Sequence, residues 1–329
     1  MTDLPKPRGR LGDAVLGALR ELPRAVPRID VAPESPDDAA LTLWVLHELS
    51  YGGFSDVDDG AEREPGLLGV RRRLEDELEA NLRARWPGVP DGVELESGFF
   101  DWLAGHDGPS LARHVQTEAT EEQVLDLLRV RSVYHLKEAD PTTWTVPRLP
   151  AAAKAALVEL LYDEYGVGDP VRLHAELFAR GMEASGLRPE YGSYVDEAPL
   201  EVLEQNNAVS MFGIQRRLRG AAVGHLAAFE MTSSLPNRRY ANALRRLGFG
   251  PRATDFFDEH VEADAVHENV AAVDLAGGLA RLEPALAGHV VWGARALVEL
   301  EARWAQHLLD AWEAGRSSLL AQQMPELAA

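Results

Sequence analysis

The stretch FFDEHVEADAVHENV, residues 256–270, carries three metal-ligating side-chain types, His260, Asp264 and His267, at i, i+4 and i+7. At 100° per residue they fall within an arc of roughly 60° on one helix face. An exposed helix usually pairs Glu with Lys or Arg, yet no Lys or Arg lies between Asp255 and Asp274. The pattern fits a metal-binding face. With no cysteine in 329 residues, a metal site is limited to nitrogen and oxygen donors, which suit iron, manganese, zinc or magnesium. The same absence excludes disulfides, thiolate catalysis and iron–sulfur clusters, and fits a reducing cytoplasm.

Other polar residues stand where a helix does not favour them. Glu138 closes VYHLKEADP, and Asp163 and Glu164 lie in the last turn of ELLYDEYG. The helix macrodipole disfavours an exposed anion there by roughly 0.3–1 kcal/mol, and a nearby metal ion would reverse the sign. Glu230 follows the almost wholly apolar run GHLAAF, so its carboxylate needs a partner or a metal. His174 stands among Leu173, Leu177 and Phe178, where a lone histidine is ordinarily a satisfied core residue. His47, His106, His114, His135, His225, His289 and His307 show no ligand spacing to one another. His135 shares a face with Glu138 but is placed outside the site. DVDDG at 56–60 fails as a calcium loop, because its glycine falls one place early and no Glu closes it. Arg148, Arg238, Arg239, Arg245 and Arg246 are candidates for a substrate carboxylate, though surface arginine is the commoner role.

Helices must position these residues. Ala and Leu are abundant, and alternating strand patterns are absent. Ser35 caps a helix that begins at Pro36, and another runs from Pro65 to Trp86 and closes on PGVPDG. Thr120 and Gln123 form a capping box for a helix reaching about Ala139. Further helices are expected over about 150–165, 169–181, 199–212, 214–233, 236–248, 254–275 and 289–314. The expected fold class is all-α: a short, partly helical N-terminal arm, 1–34, and one helical domain, 35–329. A net charge of −20 speaks against nucleic-acid binding, and no apolar run is long enough to span a membrane.

Together these residues make the chain resemble the haem-oxygenase-like diiron oxidases, the group described as iron-containing redox enzymes. That family's ligand order is a Glu, a His on the next helix, a lone Glu on a later helix, then H-x-x-x-D-x-x-H. Glu164, His174, Glu230, His260, Asp264 and His267 match it in that order, with no departure among the six. The spacing of ten between Glu164 and His174, and of thirty between Glu230 and His260, looks like the N-oxygenating branch. Glu138, twenty-six residues before Glu164, falls where that branch carries an additional carboxylate ligand. The resemblance is strongest over 120–275.

The resemblance implies a haem-oxygenase-like helical bundle and two ferrous ions; manganese or a mixed centre would suit the same hard ligands. It implies a dioxygen-dependent oxidation of a small metabolite supplied by an electron donor. N-oxygenation of an amine is favoured over oxidative decarboxylation or carbon–carbon cleavage. A homodimer is left open. Two readings of other classes remain beside it. A bundle binding haem or a small ligand without oxidising it leaves the carboxylates unexplained, and a helical interaction protein makes the six matches a coincidence. A ferritin-like diiron bundle is disfavoured, because no Glu-x-x-His occurs in the chain. The segment 254–275 is expected to loosen without metal.

Overall fold

The computed structural model of the protein describes residues 2–22, 26, 28–86 and 110–320, with the side chains of 262–266 excepted. The expected stop PGVPDG and His106 lie outside the described residues, as does the side chain of Asp264. Among the described residues the fold is all-α, and the lone bridge between Thr2 and Phe54 belongs to no strand.

The helices begin where local chemistry starts them. In α2, Pro36–Glu48, the Ser35 hydroxyl accepts from the Asp38 amide and Pro36 occupies the first turn, where no donor is needed. In α5, Glu121–His135, Thr120 and Gln123 close the capping box reciprocally. Between these lie α3, Pro65–Arg85, and the short α4, Leu111–Thr117. The N-terminal segment forms α1, Arg10–Arg20, which buries Leu11, Val15, Leu16 and Leu19. Asp38 anchors it by accepting from the amides of Leu11 at 3.1 Å and Gly12 at 2.8 Å.

α5 stops at His135, short of the expected Ala139, because Asp140 and Pro141 open a new turn of helix, α6, Asp140–Thr143. Glu138 therefore sits in the connection between two helices. α7 spans Ala151–Glu164. A turn of 3₁₀ helix over Pro170–Arg172 precedes α8, His174–Ala184, so His174 is the first residue of its helix. α9 covers Leu200–Ile214.

α10 runs unbroken from Arg219 to Arg246, through Pro236, where two helices were expected. Proline removes the amide that would bond the Thr232 carbonyl, but packing on both sides overrides that loss. α10 lies against α11, Pro251–Asn269, on one flank and against α13, Ala287–Glu313, on the other. Its crossing with α13 is close: a Cβ on Gly224 would overlap the Val290 carbonyl, and one on Gly293 would overlap that of Ala221. α11 continues as a π-helical segment, Val270–Gly277, packed on α7, and α12, Gly278–Leu282, follows.

Two apolar clusters meet at the centre. One includes Phe178, Phe256 and Phe257 from α8 and α11. The other includes Tyr134, Leu160, Leu161, Phe229 and Leu275 from α5, α7, α10 and the π segment. Glu138, Glu164, His174, Glu230, His260 and His267 are buried between them. No described helix is long and apolar enough to cross a membrane.

Candidate metal centre

Four elements deliver the site. α7 presents Glu164 at its last residue, α8 presents His174 at its first, α10 presents Glu230 mid-length, and α11 presents His260 and His267. Glu138 arrives from the α5–α6 connection. All six side chains are buried, each no more than 7% exposed. The turn joining Glu164 to His174 is tight. Gly166 has φ +68°, and a Cβ there would come within 2.6 Å of the Arg172 and Leu173 backbone.

The ligand atoms form two trios that share one carboxylate. Glu164, His174 and His260 make one, and Glu164, Glu230 and His267 the other; the atoms of each trio lie within 4.8 Å of one another. His174 Nδ1 is 3.1 Å from Glu164 Oε1, and His267 Nδ1 is 3.3 Å from Glu230 Oε2. Glu138 joins the first trio, with Oε2 3.8 Å from His260 Nε2. Asp264 lies on α11 four residues after His260 and three before His267.

Backbone and neighbouring groups decide which nitrogen each ring turns inward. His260 Nδ1 meets the Phe256 carbonyl at 2.8 Å, so it carries the proton and leaves the Nε2 lone pair facing Glu138. His267 Nε2 donates to Asp163 Oδ2 at 2.8 Å, which leaves Nδ1 facing Glu230. Such an outer carboxylate on a histidine's far nitrogen orients the ring and raises its basicity. His135 is held the same way. Arg131 has only donors, so at 3.1 Å its Nη1 requires His135 Nε2 to accept. His135 Nδ1 then bears the proton and faces Glu138 Oε1 at 3.1 Å. The placement of His135 outside the site is thereby corrected. Its ring is walled by Phe178 and Phe256, with centroids 5.0 and 4.9 Å away.

The cluster is electrostatically unbalanced on its own. Burial pushes Glu138 up to about 8 against the pull of His260, and burial raises Glu230 as well. Glu164 is also buried, but His174 and then His260 outweigh that and hold it at about 2. Burial alone would lower His174, yet the charge of Glu164 lifts it to about 9. His267 likewise reaches about 9, because Glu230 and Asp163 overcome its burial. Burial dominates at His260, which is lowered and neutral.

This donor set fits metal. Both oxygens of Glu138, Oε2 of Glu164, Nδ1 of His174, Nε2 of His260 and Nδ1 of His267 are buried and lack aligned hydrogen-bond partners. Leaving a buried polar atom unmet costs about 1–3 kcal/mol, and here such atoms converge on one place.

A sequence profile of a family described as iron-containing redox enzyme matches residues 125–302, more than half of the chain. The chain belongs to the iron-containing redox enzyme family. The matched span runs from within α5 to within α13 and so contains every residue of the cluster. Two solved structures of a CADD-like protein of unknown function from Nostoc punctiforme are similar in fold. One, at 16% identity and TM-score 0.50, covers 73% of this chain and 96% of its own. The other, also at 16% identity, has a TM-score of 0.49 and covers 72% and 97%. No curated protein matches the chain. The fold is that of the haem-oxygenase-like bundle expected from the sequence.

Five arginines were candidates for a substrate carboxylate, and the structure separates them. Arg148 donates to the Gly213 carbonyl at 2.6 Å, and Arg245 pairs with Asp258 at 2.5 Å on the surface. Arg246 caps α4 by donating to the carbonyls of Val115, Gln116 and Ala119. Arg238 is exposed. Arg239 faces a cavity beside the cluster.

Proposed function

We propose that the protein is a non-haem diiron oxidase or oxygenase that uses dioxygen on a small metabolite. The observation that carries this reading is the pair of buried trios sharing Glu164. One carboxylate between two three-donor groups is what two adjacent cations require. Glu164, His174 and His260, with Glu138, would hold one ion; Glu164, Glu230 and His267 would hold the other. Asp264, on the same helix as His260 and His267, would complete the set by its place in the sequence. Three carboxylates, or four with Glu138, together with three imidazoles offset the charge of two divalent ions, and iron suits both the family and the donors. Manganese or a mixed centre would suit the donors equally.

When bound, the metal pair supplies electrons for reduction of dioxygen. The chain's own residues do the rest. Phe178, Phe256 and Phe229 wall the cluster from water. Asp163 fixes the His267 ring, and the Phe256 carbonyl fixes that of His260. Arg131 keeps His135 in the tautomer whose Nδ1 proton faces Glu138 Oε1 at 3.1 Å, close to that carboxylate but not aligned as a hydrogen bond. A carboxylate so placed, in a connection and not in a helix, is free to change its coordination. That freedom supports the extra-ligand role, and with it N-oxygenation of an amine over decarboxylation or carbon–carbon cleavage. An electron donor is required between turnovers.

Anaerobic titration with ferrous iron tests the reading directly. We expect saturation near two ions per chain, and a transient visible band on mixing with oxygenated buffer. Glu164→Ala should lose both ions, because both trios include it. A chain that binds one ion or none in the wild-type form sinks the diiron reading.

A further inference from the structure

A cavity of about 240 Å³ lies between α4, α5, α10 and α13, on the far side of His135 and Phe229 from the carboxylates. Phe229 also borders the small space that holds Glu138, Glu164 and Glu230, so a single side-chain layer separates cavity from cluster. The volume is below the roughly 300–1,000 Å³ of sites for drug-sized ligands, and suits a small metabolite.

Among the described residues the charges in the cavity do not cancel. Arg131 stacks on Tyr240 and Trp304, donates to the Tyr240 hydroxyl at 3.2 Å, and lies 3.6 Å from Glu301. Glu301 is further engaged by Gln205 at 2.7 Å. Those two charges are matched. Arg239 is half-buried and makes no hydrogen bond or ion pair among the described residues. Among the described residues one guanidinium is therefore left over, in a molecule whose net charge is −20.

The shape adds a constraint. Phe229 and Arg239 lie ten residues apart on the same α10, about 15 Å along the axis at 1.5 Å per residue. The arginine side chain leans back toward the helix N-terminus and shortens that span. Leu111, Leu297, Val298 and Ala302 give the space between them an apolar wall.

We infer that this cavity binds the organic substrate as an elongated carboxylate, its anion on Arg239 and its reacting end against Phe229 and His135. Arg239 is the specificity-determining residue, and the apolar wall takes the intervening chain. This rests on the oxidase reading for its chemistry, but binding is separable from it.

The test is calorimetric titration of the full chain with 4-phenylbutyrate and its neutral analogue 4-phenylbutyramide. It is run with and without ferrous iron under anaerobic conditions. We expect the acid to bind at least tenfold more tightly than the amide. Arg239→Gln should remove that preference while leaving thermal unfolding unchanged. Ala302→Phe, which fills the cavity, should weaken both ligands at least tenfold. Equal affinity for acid and amide, failure of both to bind, or a preference that survives Arg239→Gln would overturn the assignment. A chain that binds the acid but takes up no iron refutes only the diiron reading. One that loads two irons and ignores the acid refutes only the pocket.

Discussion

Glu164 is the one ligand whose loss should dismantle both halves of the centre, and its neighbours grade down from there. Asp163 touches no inner ligand atom, yet it holds the far nitrogen of His267 at 2.8 Å. Asp163→Asn should weaken iron binding by roughly 10–100-fold, the usual effect of losing an outer carboxylate, with unchanged stoichiometry at saturating metal. Competition with a chromophoric chelator reads this. Protons compete with metal at the same atoms. His174 and His267 are each lifted to about 9, and Glu138 to about 8, so the metal-free site holds protons at neutral pH. Iron affinity should rise as pH goes from about 7 to 9, with protons released on binding. Titrations in two buffers of different ionisation enthalpy count them; pH-independent affinity over that range would contradict the site's charge state. The metal-free fold should respond in the opposite sense. A histidine raised from 6.5 contributes stability that is complete below 6.5 and lost as pH rises through about 9. Glu138, raised from 4.5 to about 8, acts in the same direction: its penalty on folding grows from pH 4.5 and is complete above about 8. Urea unfolding of the metal-free chain should therefore show stability falling between pH 6.5 and 9.

Elements hold these atoms through a few close approaches. α10 delivers Glu230, and its place is set where Gly224 and Gly293 let it touch α13 backbone to backbone. Gly224→Ala puts a methyl onto the Val290 carbonyl, with no flexible side chain to yield. We expect a loss of about 3 kcal/mol or more, read by denaturant midpoint, with iron uptake weakened as Glu230 shifts. The α7–α8 turn carries strain of another kind. Val167, just after Gly166, has φ 59°, a left-handed conformation that costs a β-branched residue about 1–2 kcal/mol. Its side chain is 44% exposed and little committed to packing. Val167→Asn should stabilise the protein by about 1 kcal/mol, since Asn tolerates that region. A neutral or lower midpoint would mean that the valine's residual packing outweighs the strain.

At the scale of the whole molecule, the metal site lies in the seam between the two apolar clusters, so filling it should tighten both. Iron at a hundred times its dissociation constant would add about 2.7 kcal/mol to unfolding. Hydrogen exchange should show the largest gain in protection over 254–275, the segment bearing His260, His267 and the start of the π-helical continuation. Protection there equal with and without metal would uncouple the site from the fold.

Spacing alone carried much of this. His260, Asp264 and His267 share a helix face by arithmetic, and Glu230 after its apolar run had to be buried. The caps at Ser35 and Thr120 are local chemistry and were legible as such. What required the fold was contact between residues distant in the chain. Nothing local says that Asp163 turns toward His267, 104 positions away, or that Arg131 sets the His135 tautomer beside Glu138. Pro236 reads as a helix break because proline costs a local hydrogen bond; α11 and α13 on either flank outweigh it. Of five arginines alike in sequence, only Arg239 faces the cavity. The sequence by itself determined which donor types exist and which share an element, because helical periodicity is a property of neighbours. Only the tertiary structure decided that Glu164 is common to both trios and which cavity adjoins them, because convergence and burial depend on how helices pack.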